Sequence, residues 1–230
     1  MCGMLVVGLS AMLLAASGPT NVCTLDMNSN WEAMALAACE TVKCENGPVG
    51  DARAAQLAVK LREAIAMCTL DLTRQGLGDD GIFVLVRALR ALPRLVALHL
   101  AHNAISHLGT TNFWNLIVSP KAQLEQLVLH NNRIGPLGMG TLAKALSHNG
   151  SLTHLDVRSN RGGSTGGRFI GDALRQNGRL RHLALSDNAM GNHGVLHIAL
   201  SLRENSVLES LALRGNQVTD AGVMWLAQAS

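Results

Sequence analysis

Histidine, aspartate and arginine recur at matched spacing through the second half of this chain. His154 and His182 stand 28 residues apart, and Asp156 and Arg158 follow His154 at steps of two. Steps of two put side chains on one face of a strand, so His154, Asp156 and Arg158 share a face wherever this stretch is extended. Two histidines and a carboxylate are donors that a transition metal accepts. Neighbouring strand positions converge poorly on one ion, however, and no metal or other cofactor is expected. Ser186 with His182 and Asp156 supplies the residue types of a hydrolytic triad. A triad also needs a base within hydrogen-bond reach of the hydroxyl, which strand positions alone do not provide. No nucleophile elbow, H-E-x-x-H or dinucleotide-binding glycine pattern is present. The chain therefore reads as non-catalytic.

A second candidate is the stretch Arg161-Gly-Gly-Ser-Thr-Gly-Gly-Arg168. A glycine-rich loop that opens a helix can present amides to an anion. This one lacks the Gly-Lys-Ser/Thr ending of a nucleotide-binding loop. A loosened, mobile turn is the expectation here, because the local pattern also lacks an apolar residue at Gly162.

The elements that carry these residues follow from self-similarity. Segments beginning at Leu95, Leu124, Leu152, Leu180 and Leu208 all read L-x-x-L-x-L-x-x-N, at steps of 29, 28, 28 and 28 residues. A sixth copy starts at Met67, with Gln75 in place of the asparagine. Gly81, Gly109, Gly138, Gly166, Gly194 and Gly222 each follow six residues after that position. Apolar residues four and eight positions further on, such as Leu142 and Leu146, continue at helical spacing. Each unit is thus a short strand, an asparagine turn and a helix. The pattern resembles ribonuclease-inhibitor-type leucine-rich repeats, a family that includes Ran GTPase-activating proteins and the sensor ends of NOD-like receptors. The resemblance implies an α/β solenoid, a right-handed horseshoe with parallel strands on the concave face and helices outside.

One such unit cannot bury its own apolar face, so neighbours must stack and share a core. Leu98, Leu127, Leu155, Leu183 and Leu211 are expected to form an internal ladder. The asparagines should satisfy backbone groups left open where the chain leaves each strand. The third, fifth and seventh residues of each unit then face the concave side. In that frame the middle of the face carries His99, His130, His154, Asp156, Arg158, His182 and Arg214, separated by small alanines. Solvated strand positions that need only be polar are the competing account of these residues. Thr24, Asp26 and Asn28 are placed level with Thr69, Asp71 and Thr73.

The first third is less regular, although the whole chain, 1–230, reads as one repeat domain. Residues 67–230 form six regular units, the last incomplete, and residues 22–66 form one unit with an excess near 31–46. The Ala, Leu, Met and Glu content of the excess favours an inserted helix. A degenerate strand at Cys39-x-x-Val42-x-Cys44 is the competing account. Residues 1–21 hold repeat positions in phase at Gly8, Met12 and Ala16, which favours the helix half of a truncated repeat. A secretory signal peptide is the alternative for residues 1–17, though no basic residue precedes the apolar run. Neither end shows a polar cap, which solenoids ordinarily need. Two accounts stay open: a piece of a longer protein, or self-association and partner contacts that cover the ends.

Composition narrows the rest. With 48% hydrophobic residues and 15% charged, the chain has enough apolar side chain for a continuous core. The net charge is only +3, aromatics are 3% and tyrosine is absent, so a nucleic-acid-binding surface is not expected. The apolar run at Met4–Ala16 is too short to span a bilayer, and no membrane partner is expected. The five cysteines all lie in the first third without a C-x-x-C pair, and read as reduced, buried thiols in a cytoplasmic protein. The function that follows is a scaffold binding another protein on its concave face. The family resemblance adds a regulatory alternative, a GTPase-activating or innate-sensor component, while a signal peptide would make the protein secreted.

Overall fold

The computed structural model describes residues 21–119 and 122–229, so both accounts of residues 1–17 lie outside the described residues. Parallel strands alternate with helices along the chain. The strands are β1 (Val22–Asp26), β2 (Thr41–Glu45), β3 (Thr69–Asp71), β4 (Ala97–His99), β5 (Gln126–Val128), β6 (His154–Asp156), β7 (His182–Ala184) and β8 (Ser210–Ala212). The helices are α1 (Gly50–Leu61), α2 (Asp79–Leu89), α3 (His107–Ile117), α4 (Gly135–His148), α5 (Gly163–Leu174), α6 (Gly191–Leu202) and α7 (Asp220–Ala227). The sheet runs from β1 to β8 in sequence order with every pairing parallel. Strands stack ~4.8 Å apart while packed helices need ~8–10 Å, which bends such a stack towards its strands. None of the described helices is long and apolar enough to cross a membrane.

The core is the expected ladder. Leu70, Leu98, Leu127, Leu155 and Leu183 stand opposite one another in consecutive strands and are buried. Leu211 continues the row at the last strand but is only partly buried, because no further unit covers it among the described residues. A second ladder uses the asparagines as expected. Asn188 accepts from the backbone N–H groups of Asn160 and Gly162 in the preceding unit and donates to the carbonyls of Val157 and Leu185. Asn103, Asn132, Asn160 and Asn216 bridge neighbouring units in the same manner. Each such amide completes backbone groups of two units at once, which ties register to packing.

The glycine ladder has a steric cause. A β-carbon at Gly81 or Gly109 would collide with Asp51 or Asp79 of the preceding unit. Those two carboxylates reach across to the start of the next helix. Asp51 accepts from Gly78 and Gly81 N–H at 2.7 and 2.9 Å, and Asp79 from Ser106 and Gly109 N–H at 2.8 and 2.9 Å. A carboxylate there satisfies open donors and complements the positive end of the helix dipole.

The expectation for Arg161–Arg168 is corrected. This stretch is no loose turn, because α5 begins at Gly163 and Gly162 donates to Asn188. Its glycines let two helices touch. A β-carbon at Gly167 would lie 2.7 Å from the Gly194 Cα, and one at Gly171 would lie 2.6 Å from the His197 carbonyl oxygen. The missing side chains serve close packing of α5 on α6.

The expectation for 31–46 is corrected as well. In place of an inserted helix there is one turn of 3-10 helix at Trp31–Ala33, then the strand β2. The competing account, a strand around Val42 and Cys44, is the one the structure adopts. β1 and β2 pair with Cys23 opposite Val42 and Leu25 opposite Cys44, and Val42 stands opposite Leu70 of β3. The first unit is therefore 19 residues from Cys23 to Val42, and the second is 28 from Val42 to Leu70. The shared Cys-Thr-Leu-Asp is out of phase by two: Thr24 lies level with Lys43 and Asp71, not with Thr69.

The cysteines also depart from the reduced state expected of them. Cys23 and Cys39 form a disulfide with Cα atoms 5.8 Å apart. Glu40 and Thr41 donate their N–H groups to the Asn21 carbonyl, and this backbone bonding brings Cys39 beside the start of β1. Cys44 stays a buried free thiol whose pKa is pushed up to about 12 by burial and by the nearby Asp71.

Candidate functional site

Strand register sorts the concave side chains into rows. One row runs Thr41, Thr69, Ala97, Gln126, His154, His182, Ser210. The next runs Lys43, Asp71, His99, Val128, Asp156, Ala184, Ala212. His130, Arg158 and Arg214 lie two residues beyond Val128, Asp156 and Ala212, where each chain leaves its strand. All seven candidate residues thus belong to the concave side between β4 and β8, and the structure brings them together as two clusters and two separate residues.

The first cluster centres on Asp156, which is only 6% exposed. Arg158 engages it with both arms of its guanidinium, Nε to Oδ1 at 2.9 Å and Nη2 to Oδ2 at 2.7 Å. His130 Nδ1 lies 2.9 Å from Oδ2, and the Arg158 backbone N–H donates to Oδ1 at 3.1 Å. Burial pushes the Asp156 carboxyl up, but the hydrogen bonds from His130 and Arg158 outweigh it and hold the pKa at about 2. The same contact raises the Arg158 pKa. Asp156 is accordingly an ionised, fully engaged carboxylate, and Arg158 is fixed over the sheet rather than free to swing.

The second cluster is a pair of rings. His154 and His182 occupy the same position in adjacent strands and stack with centroids 4.2 Å apart and planes inclined by 28°. His154 Nδ1 lies 2.8 Å from the Thr153 hydroxyl, and His182 Nε2 lies 3.9 Å from a Glu209 carboxylate oxygen. The His154 pKa is lowered by burial and by His182, while Glu209 pulls the other way. Stacked rings point their nitrogens outward from the pair instead of at a shared point. Asp156 faces His130 and Arg158, so the ring pair and the carboxylate are not brought together for one ion. Among the described residues, no group of three or more His, Cys, Asp and Glu is arranged to hold a metal.

His99 and Arg214 stand apart. His99 lies between Asp71 and Val128 in its row, and its Nε2 is buried without a hydrogen-bond partner. Its pKa is lowered chiefly by burial. Arg214 is exposed at the last strand. Ser186 is buried, and among the described residues no hydrogen bond joins it to His182, so the three triad residue types do not assemble.

The sequence reading missed several residues that hold this surface in shape. Asn149, Asn177 and Asn205 form a third ladder where each helix returns to the next strand. Their amides donate to the carbonyls of Ile117, Leu146 and Leu174 and accept from Leu152, Leu180 and Leu208 N–H. Their own 28-residue spacing was the available signal. Asp51 and Asp79 share that spacing, each 30 residues before the ladder glycine that it contacts, Gly81 and Gly109. The outer face differs in character, with Phe83, Leu108 and Leu137 60–67% exposed on the helices.

Comparisons with known proteins agree with this architecture. A family model described as a leucine-rich repeat matches residues 179–199 and 204–227. No curated protein matches the chain in sequence. Among solved structures, the chain is similar to one titled as the leiomodin-1 actin-binding site 2, with a TM-score of 0.50 and 17% identity. That match covers 76% of this chain and 85% of the other. It is also similar to an internalin from Listeria monocytogenes, with a TM-score of 0.47 and 18% identity, covering 84% of this chain and 60% of the other.

Proposed function

We infer that this leucine-rich-repeat solenoid fold serves as a scaffold that holds another protein. From that premise we propose that the chain is a non-catalytic scaffold of the ribonuclease-inhibitor-like type that binds a protein partner through its concave face. One observation carries this reading. Between β4 and β8 the face collects His99, His130, His154, Arg158, His182 and Arg214, although the ladders that hold the fold use none of their side chains. The small residues between them, Ala97, Ala101 and Ala184, are buried, so these polar side chains form the layer of the face that a partner would meet. The similar fold titled as an actin-binding site supports a protein as the class of partner.

The test pits the two faces against each other. Affinity capture is run with intact protein, with His182→Glu/Arg214→Glu on the concave face, and with Lys144→Glu/Arg168→Glu on the outer helices. Loss of the same specific partners from the concave variant alone is the expected result. Equal recovery by all three overturns the concave-face reading. A GTPase-activating role has less support, since an arginine acting in trans must be free and Arg158 is clamped by Asp156.

The disulfide bears on location. Cys23–Cys39 supports an oxidising compartment over the cytosol, because reducing pools keep cytosolic thiols open. Alkylation of freshly lysed cells before and after reduction tests it. Labelling of Cys23 and Cys39 only after reduction is expected, and labelling of both beforehand overturns it.

A further inference from the structure

The histidines on the concave face differ in what they already hold. Asp156, the carboxylate in the strand rows between β4 and β8, is consumed by Arg158 and His130. The His154–His182 pair therefore lacks a carboxylate from β5, β6 or β7. Gln126 of β5 faces His154 from one side, and His182 of β7 covers the other. Thr153 bonds His154 from within its own segment. From the segment entering β8, Glu209 lies 3.9 Å from His182, but the same carboxylate is paired with Arg181. Ser210 of β8 completes the row without charge. Two imidazoles thus stand side by side, partly exposed, with their nearest acid already engaged.

We infer that this ring pair is a proton-linked seat for carboxylate side chains of an acidic partner segment. The inference rests on the concave-face reading and specifies its chemistry. Two stacked rings 4.2 Å apart resist carrying two charges without an anion at their outward-pointing nitrogens. A partner carboxylate supplies that charge, so docking takes up protons and tightens as pH falls through the histidine range. The lowered His154 pKa agrees, since the ring is then neutral at pH 7 until an acid arrives. Arg214 stands exposed two residues beyond Ala212, so a segment running along the face would meet one further cation, whereas the Arg158 charge is already matched by Asp156.

The experiment uses the full chain and a fluorescent glutamate-rich peptide, with a lysine-rich peptide of equal length as control. Affinity is measured at pH 7.5 and 5.5. Binding of the acidic peptide should tighten about 5- to 10-fold at the lower pH, the size expected for one or two exposed charge pairs. His154→Gln/His182→Gln should abolish that gain, whereas His107→Gln/His193→Gln, which removes two exposed outer histidines, should preserve it. Equal affinity at both pH values, no binding at either, or an undiminished gain in the His154→Gln/His182→Gln variant overturns the inference. A pH-independent affinity that is still lost with His182→Glu/Arg214→Glu would leave the concave-face reading standing while removing the proton link.

Discussion

The two ends of the sheet are held together by different means. From β3 onward, each unit is locked to the next by an amide side chain that serves backbone groups of both, as Asn188 does for the units on either side of it. At the first unit this device fails. Asn28 is exposed, and the corresponding position in the second unit is Gly47. The chain there is stapled covalently, by Cys23–Cys39, and by Arg53, which donates to the Met27 carbonyl at 2.7 Å. A 19-residue unit without an α-helix has no helix contact to tie it to its neighbour in the regular way, and a cross-link adds stability by restricting the unfolded chain.

The sharpest way to break this contrast is at the asparagines. Asn188 is fully buried, and its replacement by Ala would leave the buried N–H groups of Asn160 and Gly162 without partners, while the Val157 and Leu185 carbonyls would keep only their bonds from Asn160 and Asn216. The expected cost is about 3–5 kcal/mol, set by the desolvation of orphaned buried groups. Asn28→Ala should fall within about 0.5 kcal/mol of the parent. Urea denaturation of both variants measures the difference, and equal costs would dissolve the distinction between ladder and staple.

Opening the disulfide should be the next largest effect, and a local one. A link spanning a sequence separation of 16 is worth about 3 kcal/mol in the chain-entropy view. Hydrogen exchange after mild reduction, or in Cys23→Ala/Cys39→Ala, should show faster exchange in β1 and β2 with β5 to β7 unchanged. Protection lost equally along the sheet would mean that the first unit nucleates the rest.

The same contrast explains what the sequence made legible. Leu98, Leu127 and Leu155 repeat because one shared core admits one residue type, so their ladder could be read from spacing alone. The concave rows from Thr69 onward followed automatically, since strand alternation fixes which residues face outward. The first unit escaped because its irregular length breaks the period, and Cys-Thr-Leu-Asp supplied a false register two residues out. Contacts between side chains were not legible either. Nothing in the spacing of Asp156 says that it binds Arg158 and His130 rather than His154, because that choice depends on rotamers and burial. At Gly162–Gly167 the pattern invited a loop, whereas the glycines serve a helix contact visible only with Gly194 in place.

Within the regular region, Asp156 is a polar lock on the concave face, and acid should open it. Its folded pKa of about 2 lies below the ordinary carboxylate value, so its contribution to stability is present above about pH 4. That contribution, about 2 kcal/mol, is lost as pH falls from about 4 to 2. Asp156→Asn should flatten this part of the stability–pH curve, as measured by denaturation at several acid pH values. A variant as acid-sensitive as the parent would show that the carboxylate is not the group responsible.

His99 should give the smallest effect and the opposite sign. Its Nε2 is buried without a partner, a cost that its side-chain hydrogen bond with Gln126 offsets only in part. Its lowered pKa means that the unfolded chain takes up a proton there more readily than the folded one. Stability from this group is therefore present above the unfolded value, about 6.5, and is lost as pH falls below it. His99→Leu removes both the orphan nitrogen and the titration, so it should stabilise the chain by about 1 kcal/mol at pH 7 and by more at pH 5. Thermal unfolding at the two pH values reads both effects. A destabilised variant would show that the imidazole is satisfied in solution. A stabilised one would mark His99 as a residue kept at the expense of stability.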